Sequence, residues 1–229
     1  MSNALEQFDG LMPTEIDVLK ELVRESGGGQ ALEIGMARGT SSVTILSALP
    51  PEGHLTSIDP FQLREHDGYN GAGVRVVAEA GYASRHTLIA DFDYLALPRL
   101  VDEGRRFQFV FIDGYHALDY AMLDFFYANL LVPPHGIVAF HDSGWPSIYL
   151  VCEFVEKRVG YARIGPPPAR RDVHWTGRGA RLAWKKLTGQ GKSADERRMR
   201  YKSVAAYRKL PTSGSREDDN VDRYPATPS

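Results

Sequence analysis

Apolar positions along the chain alternate between two regimes, short unbroken runs and longer runs with a helical period. Between Thr14 and Ser26, Ile16, Leu19, Leu22 and Val23 fall on one face, which predicts an amphipathic helix stopped by the glycines at 27–29. "ALEIG" (31–35) then reads as a strand, "TSSVTILSAL" (40–49) as a helix, and "HLTSID" (54–59) as a second strand ending at Asp59-Pro60. The same succession recurs in the strands "HTLIA" (86–90), "FQFVFID" (107–113) and "GIVAFHD" (136–142). Helical stretches at 74–82, 93–104, 117–131 and 147–159 separate and follow them. A run such as "FVFI" has no polar alternation and suits a strand buried on both faces. The pattern therefore predicts an α/β fold, a seven-stranded, mostly parallel sheet with helices on both faces. "YARIG" (161–165) and "ARLAWKK" (180–186) are expected to close it as an antiparallel hairpin around the Pro- and Arg-rich linker 165–179. "PFQLREHDGYNGAG" (60–73) is too irregular for an element and reads as a loop able to cover a site.

Composition narrows the classes. With 229 residues, 43% of them hydrophobic and 24% charged, the chain is sized for one large domain. Lys and Arg number 27 against 29 Asp and Glu, a net charge of -2, so nothing points to nucleic acid or an anionic membrane as partner. The single cysteine, Cys152, cannot form an intramolecular disulfide, no leader pattern opens at Met1, and no apolar run is long enough to cross a bilayer. A cytoplasmic protein is expected. The chain divides into an N-terminal helical lid segment (1–29), a main domain (30–188) and a charged, partly disordered tail (189–229). The apolar face of 15–25 permits a homo-oligomer.

Candidate chemistry starts at "LEIGMARGTSS" (32–42), a strand that turns through two glycines into a helix, the kind of junction where α/β proteins hold nucleotide-like ligands. Gly35 and Gly39 do not have the G-x-G-x-x-G spacing of a dinucleotide turn, and Gly39-Thr40-Ser41 lacks the lysine of a P-loop. What remains is a carboxylate, Glu33, ahead of the turn, which suits a ligand with positive charge. S-adenosylmethionine carries an ammonium and a sulfonium.

These residues, with "LTSIDP", "FVFIDGYHALDYAMLDF" and "LLVPPHGIVAFHD", resemble the class I S-adenosylmethionine-dependent methyltransferases. The likeness is to the macrocin-type and cephalosporin hydroxylase-like small-molecule group, and more distantly to the catechol and caffeoyl-CoA O-methyltransferases. It covers residues 31–145 and implies a Rossmann-like fold, S-adenosylmethionine as cofactor and a hydroxyl of a small molecule, such as a natural product or sugar, as acceptor. A small-molecule N-methyltransferase and a non-catalytic S-adenosylmethionine-binding regulator are the alternatives.

By this resemblance Glu33, Gly35, Gly39, Thr40 and Ser41 belong to the motif around the amino-acid part of the cofactor. Asp59 would accept both ribose hydroxyls, since a carboxylate offers two parallel acceptors to a diol; capping the turn before Pro60 is the alternative. Asp91 and Phe92 would meet the adenine, with helix N-capping as the competing role for Asp91. Asp113 and the pair His141-Asp142 close adjacent strands where relatives hold Mg²⁺. Because Mg²⁺ prefers oxygen, a histidine in that set leaves both the use and the identity of a divalent metal open. His116 stands where relatives carry the base, with His141 the second candidate and Asp113 beside both; a cap on the following helix is the other reading of His116. Tyr69, Tyr115 and Trp145 lie in loops expected to border the crevice.

Overall fold

Seven strands form one sheet in the order β3-β2-β1-β4-β5-β7-β6. They are β1 (Gln30–Ile34), β2 (His54–Ile58), β3 (His86–Ile89), β4 (Phe109–Ile112), β5 (Ile137–Phe140), β6 (Tyr161–Ile164) and β7 (Ala205–Lys209). The computed structural model describes residues 10–158, 160–165 and 204–211. The first five strands pair in parallel, while β7 runs antiparallel to both β5 and β6. Among the described residues six α-helices accompany them: α1 (Pro13–Glu25), α2 (Thr40–Ala48), α3 (Ala72–Glu79), α4 (Asp93–Asp102), α5 (Leu118–Leu131) and α6 (Pro146–Lys157). None of the described helices is long and apolar enough to cross a membrane.

Why "FVFI" is wholly apolar is visible in the two cores. Val110 and Ile112 face a cluster that includes Leu97 of α4, Phe125 of α5 and Val151 of α6. Their neighbours Phe109 and Phe111 face the other cluster, with Leu19 and Val23 of α1 and Ile45 of α2. Successive strand residues point to opposite faces, and both faces are covered.

The hairpin closes the sheet, but its second strand differs from the expectation. β6 pairs with 205–209, Tyr161 opposite Lys209 and Ile164 opposite Ala206, and residues 180–186 lie outside the described residues. The strand from the expected tail is well anchored: Tyr207 and Ala205 are fully buried. Lys209 Nζ donates to the carbonyls of Asn129 (2.7 Å) and Val132 (3.0 Å) at the end of α5. Arg208 reaches Glu25 at 2.6 Å, tying β7 to the end of α1. Helix α1 therefore packs as part of the outer layer. The rest of the lid and tail segments, 1–9, 189–203 and 212–229, is outside the described residues. The strand order turns outward in both directions from β1 and β4, which opens a crevice at their carboxyl ends.

Candidate active site

At that crevice a cavity of about 500 Å³ is lined by Gly35, Asp59, Phe92 and Asp113 among the sequence candidates, together with Tyr69 and Tyr115. Gly35 is required there. Its φ is +91°, and a Cβ would stand 2.3 Å from the carbonyl oxygen of Asp113, so β1 and β4 can approach only without a side chain. Ala37, two residues on, also has a left-handed backbone (φ 45°), as does Asp142 after β5 (φ 51°). Two non-glycine residues held in that region on one crevice mark a site at which the surrounding packing overrides local preference.

Asp59 organises this wall. Its Oδ2 accepts from the backbone N–H of Ala37 (2.8 Å) and Met36 (3.2 Å) and from Gln62 Nε2 (3.2 Å), while Oδ1 accepts from Phe61 N–H (2.8 Å). Most of its acceptor capacity is thus used in shaping the turn, and Oδ1 keeps one lone pair for a ligand hydroxyl. Phe92 stacks on Tyr94 (5.2 Å between centroids) and meets Phe61 edge-on (6.3 Å), an aromatic wall on the same side.

The other cofactor candidates lie away from the cavity lining. Glu33 is fully buried and accepts the hydroxyls of Ser42 (2.6 Å) and Ser57 (2.7 Å). Burial pushes its carboxyl up to about 7, against the opposing hydrogen bonds of Ser41, Ser42 and Ser57. Gly39 (φ +84°) packs on Gly73, whose carbonyl would stand 2.8 Å from an added Cβ. Thr40 is exposed at the start of α2, and Ser41 sits beside Glu33. Asp91 is half-buried and bonded to Arg99 at 2.6 Å and to Phe92 N–H at 2.9 Å. Asp93, the first residue of α4, also lines the cavity, and sequence reading did not single it out. Behind it, Asp124 of α5 is fully buried. Burial first, and the charge of Asp93 second, hold the Asp124 carboxyl well above the usual range.

The strand-end residues converge. His141 Nδ1 lies 2.9 Å from Asp113 Oδ1, and Nε2 faces Glu15 Oε2 of α1 at 3.4 Å. Burial alone would lower the imidazole, but the charge and hydrogen bond of Asp113, then Glu15, outweigh it and push His141 up to about 10. Burial likewise works against the Asp113 carboxylate, and the two imidazoles still hold it below its ordinary value. His116 Nε2 stands 3.6 Å from Asp113 Oδ1 and 3.7 Å from Asp142 Oδ2, with its ring stacked on Trp145. His116 itself does not line the cavity and borders it through Asp113.

A carboxylate faces each ring nitrogen of His141, and the two together favour its charged form. Among the described residues no three His, Cys, Asp or Glu side chains are arranged to hold a metal ion. Glu15 went unnoticed in the sequence because it lies 126 positions from His141 and carries no motif. Its one local signal is the helix start, where it returns to cap Met12 N–H at 2.8 Å.

A family model described as a methyltransferase domain matches residues 32–143. A candidate caffeoyl-CoA O-methyltransferase of Arabidopsis thaliana is 28% identical over 148 residues, 62% of this chain and 60% of the relative's own length. Among solved structures, the O-methyltransferase TomG from Streptomyces achromogenes in complex with SAM has a TM-score of 0.64 at 20% identity, over 90% of this chain and 86% of that one. An O-methyltransferase from Bacillus cereus in complex with SAH has a TM-score of 0.63 at 15% identity, over 88% and 84%. At those identities the two structures speak for the fold. Residues 32–143 thus resemble a methyltransferase domain, and the seven-stranded sheet has the Rossmann-like fold of those two methyltransferase structures.

Proposed function

We propose that the protein transfers the methyl group of S-adenosylmethionine to a hydroxyl oxygen of a small-molecule acceptor. One observation carries this reading: a single cavity is bounded by the Gly35–Asp59 turn on one side and by Asp113 on the other. When bound, S-adenosylmethionine supplies an activated methyl on a sulfonium. The chain's task is then to bind, align and take one proton. Asp59 Oδ1 suits a ribose hydroxyl, and the Phe92 ring and Asp93 carboxylate suit a purine with an exocyclic amine. Gly35 lets the backbone come close.

On the acceptor side, Asp113 faces the cavity and orients the hydroxyl. Held below its ordinary pKa, it is a poor resting place for a proton. Asp113 passes that proton on to His116 Nε2 behind it, where the charge gained meets Asp113 at 3.6 Å and Asp142 at 3.7 Å. The names of the similar proteins, O-methyltransferases, support oxygen over nitrogen as the acceptor atom.

The test is calorimetric titration with S-adenosylhomocysteine, followed by incubation with S-adenosylmethionine and catechol or caffeic acid, with products read by mass spectrometry. Nucleoside binding and a methyl ether that disappears in His116→Ala are expected. Folded protein that binds no S-adenosylhomocysteine, or methylates only amines, overturns the reading.

A further inference from the structure

We propose that Glu15 is a positioning residue: helix α1 uses it to fix His141, and through His141 the carboxylate of Asp113. This rests on the reading in which Asp113 orients the acceptor. Glu15 lies outside the matched methyltransferase segment, on the first helix, and is 6% exposed. Its Oε2 faces His141 Nε2 at 3.4 Å while Asp113 Oδ1 holds Nδ1 at 2.9 Å. A ring gripped at one nitrogen can pivot about that bond. Gripped at both, its plane is set, and so is the direction from which it holds Asp113. Phe111 packs against the same ring at 6.1 Å, and Asp142 contributes its charge from the end of β5.

Glu15 is well placed for this because its helix cannot shift easily. Pro13 occupies the first turn, and Glu15 Oε2 also accepts Met12 N–H at 2.8 Å. Leu19 and Val23 are buried, and the Glu25–Arg208 pair (2.6 Å) ties down the far end. A support on a packed helix holds its partner more closely than one on a loop.

The double duty of Glu15 dictates the test. Glutamine at this position still accepts Met12 N–H, since either Glu or Gln completes a capping box, but the oxygen that it turns toward His141 Nε2 is uncharged and grips the ring more weakly than a carboxylate does. In Glu15→Gln we expect an unchanged melting temperature, S-adenosylhomocysteine affinity within about twofold, and turnover of catechol lowered roughly tenfold or more. Nitrogen-15 NMR of the His141 ring should show both ring N–H groups hydrogen-bonded in the wild type. In the variant the Nε2–H signal moves and Nδ1–H stays. Combined with His141→Gln, Glu15→Gln should add nothing further. A variant with wild-type turnover and an unmoved ring spectrum, or an undiminished effect in the His141→Gln background, overturns the proposal and leaves Glu15 as a helix cap alone. If the wild type does not methylate catechol, that result bears on the acceptor, and the ring spectrum still decides the role of Glu15.

Discussion

Asp59 accepts the backbone N–H of Ala37 at 2.8 Å, so the carboxylate at the end of β2 holds the turn that follows β1. Site shape and turn stability therefore depend on one side chain. Ala37 is one of the two crevice residues with left-handed backbone, and Gln62 Nε2 bonds to its carbonyl from the other side. The turn is fixed at both its donor and its acceptor.

Asp59→Asn replaces one acceptor oxygen with a donor among N–H groups. A loss of about 1–3 kcal/mol of stability is expected, with S-adenosylhomocysteine affinity down roughly tenfold. Denaturant melts and calorimetry on the same preparation check both; unchanged affinity would separate the turn from the ligand site.

Gly35→Ala meets two penalties together, a positive φ and a Cβ 2.3 Å from the Asp113 carbonyl. Left-handed backbone alone costs an alanine about 1 kcal/mol, and the backbone clash forces β1 away from β4. Destabilisation of about 3 kcal/mol or more should appear in urea unfolding.

Glu33 makes stability depend on pH in a direction opposite to that of most carboxylates. Its folded value, about 7, lies above the ordinary value of 4.5, so its contribution is whole below about 4.5 and is lost as pH rises to 7. The change is roughly 3 kcal/mol at most. Wild-type minus Glu33→Gln stability, measured from pH 4.5 to 8, should fall and then level off; a flat difference would mean that Glu33 stays ionised in the fold.

Asp124 has the same sign, for burial and the Asp93 charge both favour its neutral form. Asparagine is neutral without a proton. At pH 8, Asp124→Asn should be more stable than the wild type by on the order of 1–2 kcal/mol, with the gap closing toward pH 4. Chemical denaturation at the two pH values measures it.

Much of this protein is written locally. The unbroken runs at 109–112 and 137–140 are strands because both sheet faces are covered, and a strand covered on both sides has no polar positions to spare. Asp59, Asp113 and Asp142 stand at strand ends, where a parallel α/β sheet must place its crevice, and the sequence order of strand and helix is enough to locate them. Gly35 was equally visible, as the residue at which a strand turns sharply.

Other features exist only once the chain has crossed itself. "VAAYRKL" is a short, mixed segment, and pairing across the sheet, not local preference, makes 205–209 the neighbour of β5 and β6. Asp91 and Asp93 sit two positions apart; the start of α4 turns one toward Arg99 and places the other in the cavity lining. The commitment of Asp59 to backbone donors, the raised carboxyl pKa of Asp124 and the grip of Glu15 on His141 depend on distances between residues far apart in the chain. Burial and charge act through space, and only the tertiary structure sets which groups they bring within reach.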